Sequence, residues 1–323
     1  VIMLQGKRIL VAGGGGFLGS ALIQRLLKEG AKVRATLHTK KPKLDAPQVD
    51  WIHTDLMDPA TCARVTEGMD MVFMCAANTQ GAGVIATTPL AHVTPNVVMN
   101  TYMLDAAYSA GVQRFVFFSS GAAYPDTGHR PVREDEMFAG DPSPVYHAVA
   151  WMKRYAEILC DTYANRIKKP MSCVVIRPSN VYGPLDKYDP RTSHVTAALI
   201  RRVAERQSPF VVWGDGGDLR DLIYVDDFID GVMAAVGVED PYLAVNICSG
   251  KGVTVREVVE TLVKVDRFDD IDLQFDATKP STVRIRLIDG SFAKEKLGFE
   301  CKVDLAEGLR RTLEWYRANP DIR

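Results

Sequence analysis

Hydrophobic positions along this chain follow two alternating periods. An apolar run, Ile9-Leu10-Val11-Ala12, stops at Gly13-Gly14-Gly15-Gly16, and apolar residues return at Ala21, Leu22, Leu26 and Leu27 with helical spacing. The pattern predicts a strand, a tight turn and a helix ending at Lys28-Glu29-Gly30. Further strands are predicted over residues 31–37, 49–52, 71–75, 115–118 and 174–176. A helix is expected from Asn96 to Gly111, turning Val97, Met103, Leu104 and Ala107 to the sheet, and an amphipathic packing helix from Leu305 to Tyr316. Strands separated by helical stretches of this length imply an α/β fold on a doubly wound parallel sheet, with chemistry gathered beyond the carboxyl ends of its strands.

The glycines carry the first candidate chemistry. Gly13, Gly16 and Gly19 lie three apart: the first permits a tight turn, the second leaves bare backbone for a pyrophosphate, and the third lets helix pack on strand. The amides opening the helix at Phe17 and Leu18, at its positive dipole end, complete a Rossmann-type dinucleotide site. A site specific for NAD closes its second strand with an acidic residue that binds the ribose hydroxyls. This chain has Leu37 and His38 there, then Thr39, Lys40 and Lys41, so NADP(H) is expected, with His38 and Lys41 beside the 2′-phosphate. The alternative is NAD with the lysines in a solvated loop. Asp55-Leu56 is placed for an adenine edge, and Ala76-Ala77 is small enough to let a cofactor lie close. Composition shifts near residue 180 to turn-rich, hydrogen-bonding stretches. Residues 1–175 are expected to form the dinucleotide-binding domain, and residues 176–323 mainly an interleaved substrate-binding lobe, with later segments returning to the sheet.

With 323 residues, 47% of them hydrophobic, the chain can bury a substantial core. A net charge of −1 gives no reason to expect nucleic acid or a membrane surface, and the apolar runs are too short to span a bilayer. The six cysteines lack paired spacing and no leader pattern precedes Gln5-Gly6-Lys7-Arg8. Reduced core thiols in a cytoplasmic protein, without a bound metal, are expected.

Taken in order, Gly13-x-x-Gly16-x-x-Gly19, Asp55-Leu56, Ser119-Ser120…Tyr124, Arg177-Pro178…Tyr182-Gly183-Pro184 and Arg220…Tyr224-Val225-Asp226-Asp227 resemble the extended short-chain dehydrogenase/reductases. These are the NAD(P)-dependent epimerases and dehydratases of nucleotide sugars. Ser193-His194-Val195, Ala198-Leu199-Ile200-Arg201-Arg202 and Val212-Trp213-Gly214 look most like the GDP-L-fucose synthase-like branch, whose members are NADP-dependent epimerase–reductases. The resemblance implies a nucleotide-sugar substrate, with a GDP-sugar favoured. It also implies a homodimer formed through the helices after Asn96 and around Lys153.

In this family hydride moves to or from nicotinamide while a tyrosine passes a proton and a Ser/Thr holds the sugar. A lysine four residues after the tyrosine lowers its pKa and binds the nicotinamide ribose. Ser120 matches the serine. Lys153 matches the lysine, because Glu157 and Tyr163 follow at the family offsets, and this puts Val149 at the tyrosine position. Tyr146 has Ala150 four residues on. Either the pair is rebuilt around Tyr146, or Tyr146 is an ordinary half-buried side chain. Ala122 stands where the branch has its epimerising cysteine, and Gly121-Ala122 where 4,6-dehydratases have Asp-Glu. His194 matches the branch histidine and is the remaining imidazole acid/base. Asn180 and Arg220, with Arg286 as a further candidate, suit a diphosphate. The alternative for Arg220 is a salt bridge with Asp221, Asp226 or Asp227. Trp213 is a candidate for the base pocket, and Arg201 and Arg202 read as a solvated helix face. The expected activity is an NADP(H)-dependent redox or epimerase step at a nucleotide-linked sugar carbon, with an atypical Tyr/Lys site. The alternatives are a 4-epimerase that holds NAD(P) tightly and a binding protein without chemistry.

Overall fold

Side chains alternating between two buried faces build the central sheet. In the computed structural model, which describes residues 4–78, 88, 90–279 and 284–321, strand β1 (Arg8–Ala12) turns Ile9 and Val11 to one face and Leu10 and Ala12 to the other. The first face is covered by α1 (Phe17–Lys28) through Leu22, Ile23 and Leu26. After β2 (Lys32–Leu37) and β3 (Asp50–His53), the opposite face is covered by α2 (Pro59–Thr66) and, beyond β4 (Met71–Met74), by α3 (Leu90–Ser109). β5 (Arg114–Phe118) is buried along its whole length, and α4 (His147–Asn165) follows it on the second face.

The helix expected from Asn96 begins six residues earlier, at Leu90, and carries Pro95. Proline removes the amide that would reach the Ala91 carbonyl. The Asn78 side chain donates to that carbonyl instead, at 2.9 Å, and Asn96 holds Asn78 through its backbone N–H and C=O. The helix therefore continues through the proline.

After β6 (Ser172–Pro178) the chain leaves the large sheet for β7 (Asn180–Tyr182), α5 (Val195–Ala204), β8 (Phe210–Trp213) and β9 (Leu219–Tyr224). It returns through α6 (Val225–Val236) to β10 (Tyr242–Ile247), then leaves again for β11 (Gly252–Thr254), α7 (Val255–Asp266), β12 (Leu273–Asp276) and β13 (Ile285–Arg286). Two helices, α8 (Ser291–Leu297) and α9 (Leu305–Ala318), end the described chain. The large sheet is parallel with order β10-β6-β5-β4-β1-β2-β3. In the small sheet β9 is central, paired with β11, β13 and β7. One apolar core runs from Ile9 in the large sheet to Leu309 and Tyr316 in α9. The six cysteines are free thiols, and no described helix is long and apolar enough to cross a membrane.

Candidate active site

Strand order reverses around β1, which lies between β2 and β4, and the crevice of a doubly wound sheet opens at such a reversal. The glycine turn fills that point. Gly13 has φ +82°, and a methyl group on it would sit 2.6 Å from the Ala76 backbone; one on Gly19 would sit 2.3 Å from the Gly13 carbonyl oxygen. The Thr36 hydroxyl accepts from the Gly13 amide at 2.9 Å and fastens the turn to β2. Gly16 precedes α1 with no side-chain cap, so the first-turn amides at Phe17, Leu18 and Gly19 have no acceptor within the helix. A cradle that any side chain would fill, lined by open amides at a dipole end, fits a dinucleotide pyrophosphate. Half-buried Ala76 closes its far wall, followed by exposed Ala77 and by Asn78. Leu37 stands over Gly15, where an added methyl group would lie 2.7 Å from its side chain, and exposed His38 and Lys41 follow. Asp55 is exposed and its carboxylate accepts from the Met57 amide at 2.9 Å, whereas Leu56 is buried in the core.

Two residues from different elements meet at the end of β5. Ser120 is extended, and its hydroxyl accepts from the Ala122 amide at 3.1 Å, leaving its own proton directed elsewhere. Half-buried Lys153 donates to the Phe118 carbonyl at 2.7 Å and lies 4.9 Å from the Phe117 ring centroid. Burial lowers the Lys153 pKa to about 8, against the opposing pull of Glu157 and Cys75. Behind this pair runs a network missed in the sequence. Buried Glu157 binds the Arg177 guanidinium at 2.6 and 3.2 Å and accepts from Ser119. Arg177 also donates at 3.0 Å to Tyr124, whose hydroxyl donates to Asn246 at 2.6 Å. Burial raises the Tyr124 pKa far above its ordinary value, and the side chain is fully enclosed, so its phenol serves the framework. An arginine inside an apolar strand was the available signal for this network.

The small sheet brings the substrate candidates together. Parallel pairing of β13 with β9 sets Arg286 beside Arg220, on one face of the sheet. Arg286 reaches the Tyr124 and Pro125 carbonyls at 3.4 and 3.3 Å, and Arg220 pairs with Asp218 at 3.3 Å. The aspartates expected as alternative partners are engaged elsewhere: Asp221 accepts from the Ser249 and Gly250 amides, and Asp227 from the Lys302 and Val303 amides. Burial lowers the pKa of both arginines, against the opposing pull of Asp218 on Arg220 and of Asp126 on Arg286. Like charges at paired positions repel, and an anion relieves them. The Asn180 amide donates to the Asp221 carbonyl at 2.9 Å, next to this pair. Trp213 is 67% exposed. Arg202 is not on a solvated face, since it stacks at 4.0 Å on Phe210 and donates to Val211, whereas Arg201 pairs with Glu205.

Tyr146 does not extend the helix of Lys153. It ends a 3₁₀ turn (Pro144–Tyr146) and caps α4, which begins at His147. Its ring packs against the cluster of Tyr124, Ala150 and Ile288. His194 caps α5 at a partly open position, where neighbouring protein removes part of the solvation of its imidazole and the Lys187 ammonium adds repulsion, so its pKa falls below its ordinary value. Lys187 belongs to a second cluster missed in the sequence. Lys43 donates to the Asp186 carbonyl at 3.1 Å as well as to the Leu185 carbonyl. Burial lowers Lys43 to about 8 and raises Asp186 to about 7, and Lys40 and Lys187 repel Lys43. The cluster joins the loop after β2 to the loop after β7.

A parallel sheet with a glycine cradle at its reversal point, and a serine and lysine at the end of β5, defines a dinucleotide-dependent enzyme of the extended short-chain dehydrogenase/reductase type. Residues 9–248 match the model of the NAD dependent epimerase/dehydratase family. The chain belongs to this family and is an NAD(P)-dependent enzyme. It is 30% identical over 321 residues to a probable GDP-L-fucose synthase of Oryza sativa subsp. japonica, covering 98% of this chain and 93% of that one. It is also 30% identical to a GDP-mannose 3,5-epimerase of Arabidopsis thaliana, covering 97% of this chain and 83% of the relative. Among solved structures, UDP-glucose 4-epimerase from Thermotoga maritima with UDP-glucose superposes with a TM-score of 0.86 at 27% identity, covering 97% of this chain and 100% of that one.

Proposed function

We propose that this chain carries out an NADP(H)-dependent redox or epimerase step on a nucleotide-linked sugar, with a GDP-sugar favoured. The observation that carries this reading is the paired Arg220 and Arg286, two guanidinium forks on neighbouring strands suited to a diphosphate. The GDP-sugar relatives support guanine as the base. Leu37 in place of an acid, with Lys40, Lys43 and Lys187 gathered at the adenosine end, supports a 2′-phosphate.

When bound, the nicotinamide supplies or accepts hydride. Phe17, Leu18 and Gly19 hold the pyrophosphate through their amides, and the Lys153 ammonium binds the nicotinamide ribose. Ser120 donates to the reacting sugar oxygen, which its fixed Ala122 contact leaves it free to do. His194, neutral near pH 7, is the base offered by the substrate lobe. A second copy of the chain packs across α3 and α4, where Trp151, Tyr155 and Ile158 form an exposed stripe one turn apart.

The test is to mix purified protein with NADP(H) or NAD(H) and a panel of GDP-, UDP-, CDP- and dTDP-sugars, following reduced-nicotinamide absorbance and sugar products. Net absorbance change with a GDP-sugar and NADP(H) is the expected result. New sugar without net change, from protein purified with dinucleotide attached, favours the internal 4-epimerase cycle, which the likeness to a UDP-glucose 4-epimerase keeps in view. Failure to bind any dinucleotide overturns both readings.

A further inference from the structure

We infer that Tyr146 is a ligand of the substrate's diphosphate, acting with Arg220 and Arg286, and does not carry the proton of the redox step. Because the two arginines are read as diphosphate ligands, the assignment depends on the nucleotide-sugar function proposed above.

Backbone geometry comes first. Tyr146 lies outside α4, in the turn Pro144–Tyr146, with its amide bonded to the Ser143 carbonyl at 2.9 Å. A bridge between Pro125 and Pro142 holds the chain ahead of that turn against the segment that follows Tyr124. The ring packs on the cluster containing Tyr124 and Ile288. Those residues flank Arg286, which donates to the Tyr124 carbonyl and stands two positions before Ile288. Packing thus holds the ring on the side of the cluster next to Arg286, and both guanidinium groups lie within electrostatic range of Tyr146. The groups acting on Lys153 are Glu157 and Cys75. Lys153 itself lies about two helical turns beyond Tyr146, with the apolar Val149 at the intervening family position.

The chemistry follows from that placement. The acceptors of Arg286 are carbonyls at 3.3 and 3.4 Å; Arg220 gives one nitrogen to the Leu219 and Arg284 carbonyls at 3.0 and 3.2 Å and the other to Asp218 at 3.3 Å, long for a charge-assisted bond. Both forks therefore keep donor capacity for an incoming anion. A neutral phenol adds a donor to the same phosphate oxygens.

The variant Tyr146→Phe keeps the ring and its packing and removes only the hydroxyl. Wild type and variant, each saturated with NADP⁺, are titrated calorimetrically with GDP and separately with guanosine. The Kd for GDP is expected to rise about tenfold in the variant, as for a lost hydrogen bond to a charged group, with guanosine binding unchanged. With the GDP-sugar that turns over, KM rises in parallel while kcat stays within about twofold. A fall in kcat of about a hundredfold or more at unchanged GDP affinity overturns the inference and makes Tyr146 the proton carrier. Unchanged affinity with unchanged kcat also overturns it, leaving the residue to packing. Wild type that binds neither GDP nor UDP overturns the nucleotide-sugar function, and this assignment falls with it.

Discussion

Lys153 has an ammonium whose charge changes in mildly alkaline solution. Burial lowers its pKa to about 8, so below that pH it offers donors beyond the one engaged by the Phe118 carbonyl. As pH rises through about 8 the ammonium becomes an amine and its grip on ribose hydroxyls weakens. NADP⁺ affinity is therefore expected to be flat below that point and to fall about tenfold above it, the order of a charge-assisted hydrogen bond. Lys153→Met is expected to bind weakly at every pH and to keep only the part of the fall that comes from Lys43, also lowered to about 8. Fluorescence titration of NADP⁺ across this range checks both; a wild-type affinity that is level through pH 9, about one unit above the Lys153 value, removes the ammonium from the cofactor site.

At the scale of elements, α4 is fastened to β6 by the Glu157–Arg177 ion pair, with side chains 0% and 4% exposed. Removing one partner of a buried pair leaves the other charge uncompensated. Glu157→Gln is expected to lower folding stability by about 3 kcal/mol, read by denaturant or thermal unfolding. The same change loosens Ser119, bonded to Glu157 immediately before Ser120, so turnover is expected to fall more than cofactor affinity. Unfolding at the wild-type midpoint would show that the carboxylate does not stabilise α4 on the sheet.

For the whole molecule, the exposed Trp151, Tyr155 and Ile158 stripe of α4 calls for a partner surface, since their spacing makes one continuous apolar ridge. Sedimentation velocity at micromolar concentration is expected to find a dimer, and Tyr155→Glu to convert it to monomer with dinucleotide binding retained. A wild-type monomer would remove the partner from this face.

Local pattern determined the glycine turn and six of the seven strands of the large sheet, and left β10 (Tyr242–Ile247) unread. Strand burial has period two and helix burial a period near 3.6, and both are written in short windows such as Ile9–Ala12 and Leu22–Leu26. Gly13 was read from that same turn, whereas Ser120 and Lys153 were singled out by the resemblance to the family. The first six residues of α3 were not read as helix, and the amide that keeps the helix intact across Pro95 comes from Asn78, outside the local window. Only the tertiary structure decided where long-range partners meet. The pairing of β13 with β9 sets Arg286 beside Arg220, 66 residues apart in sequence, and the turn at Pro144–Tyr146 takes Tyr146 out of the helix that carries Lys153. Lys43 likewise reaches the Asp186 carbonyl across 143 residues. Such contacts depend on register and crossover, which no residue's own neighbours in sequence encode.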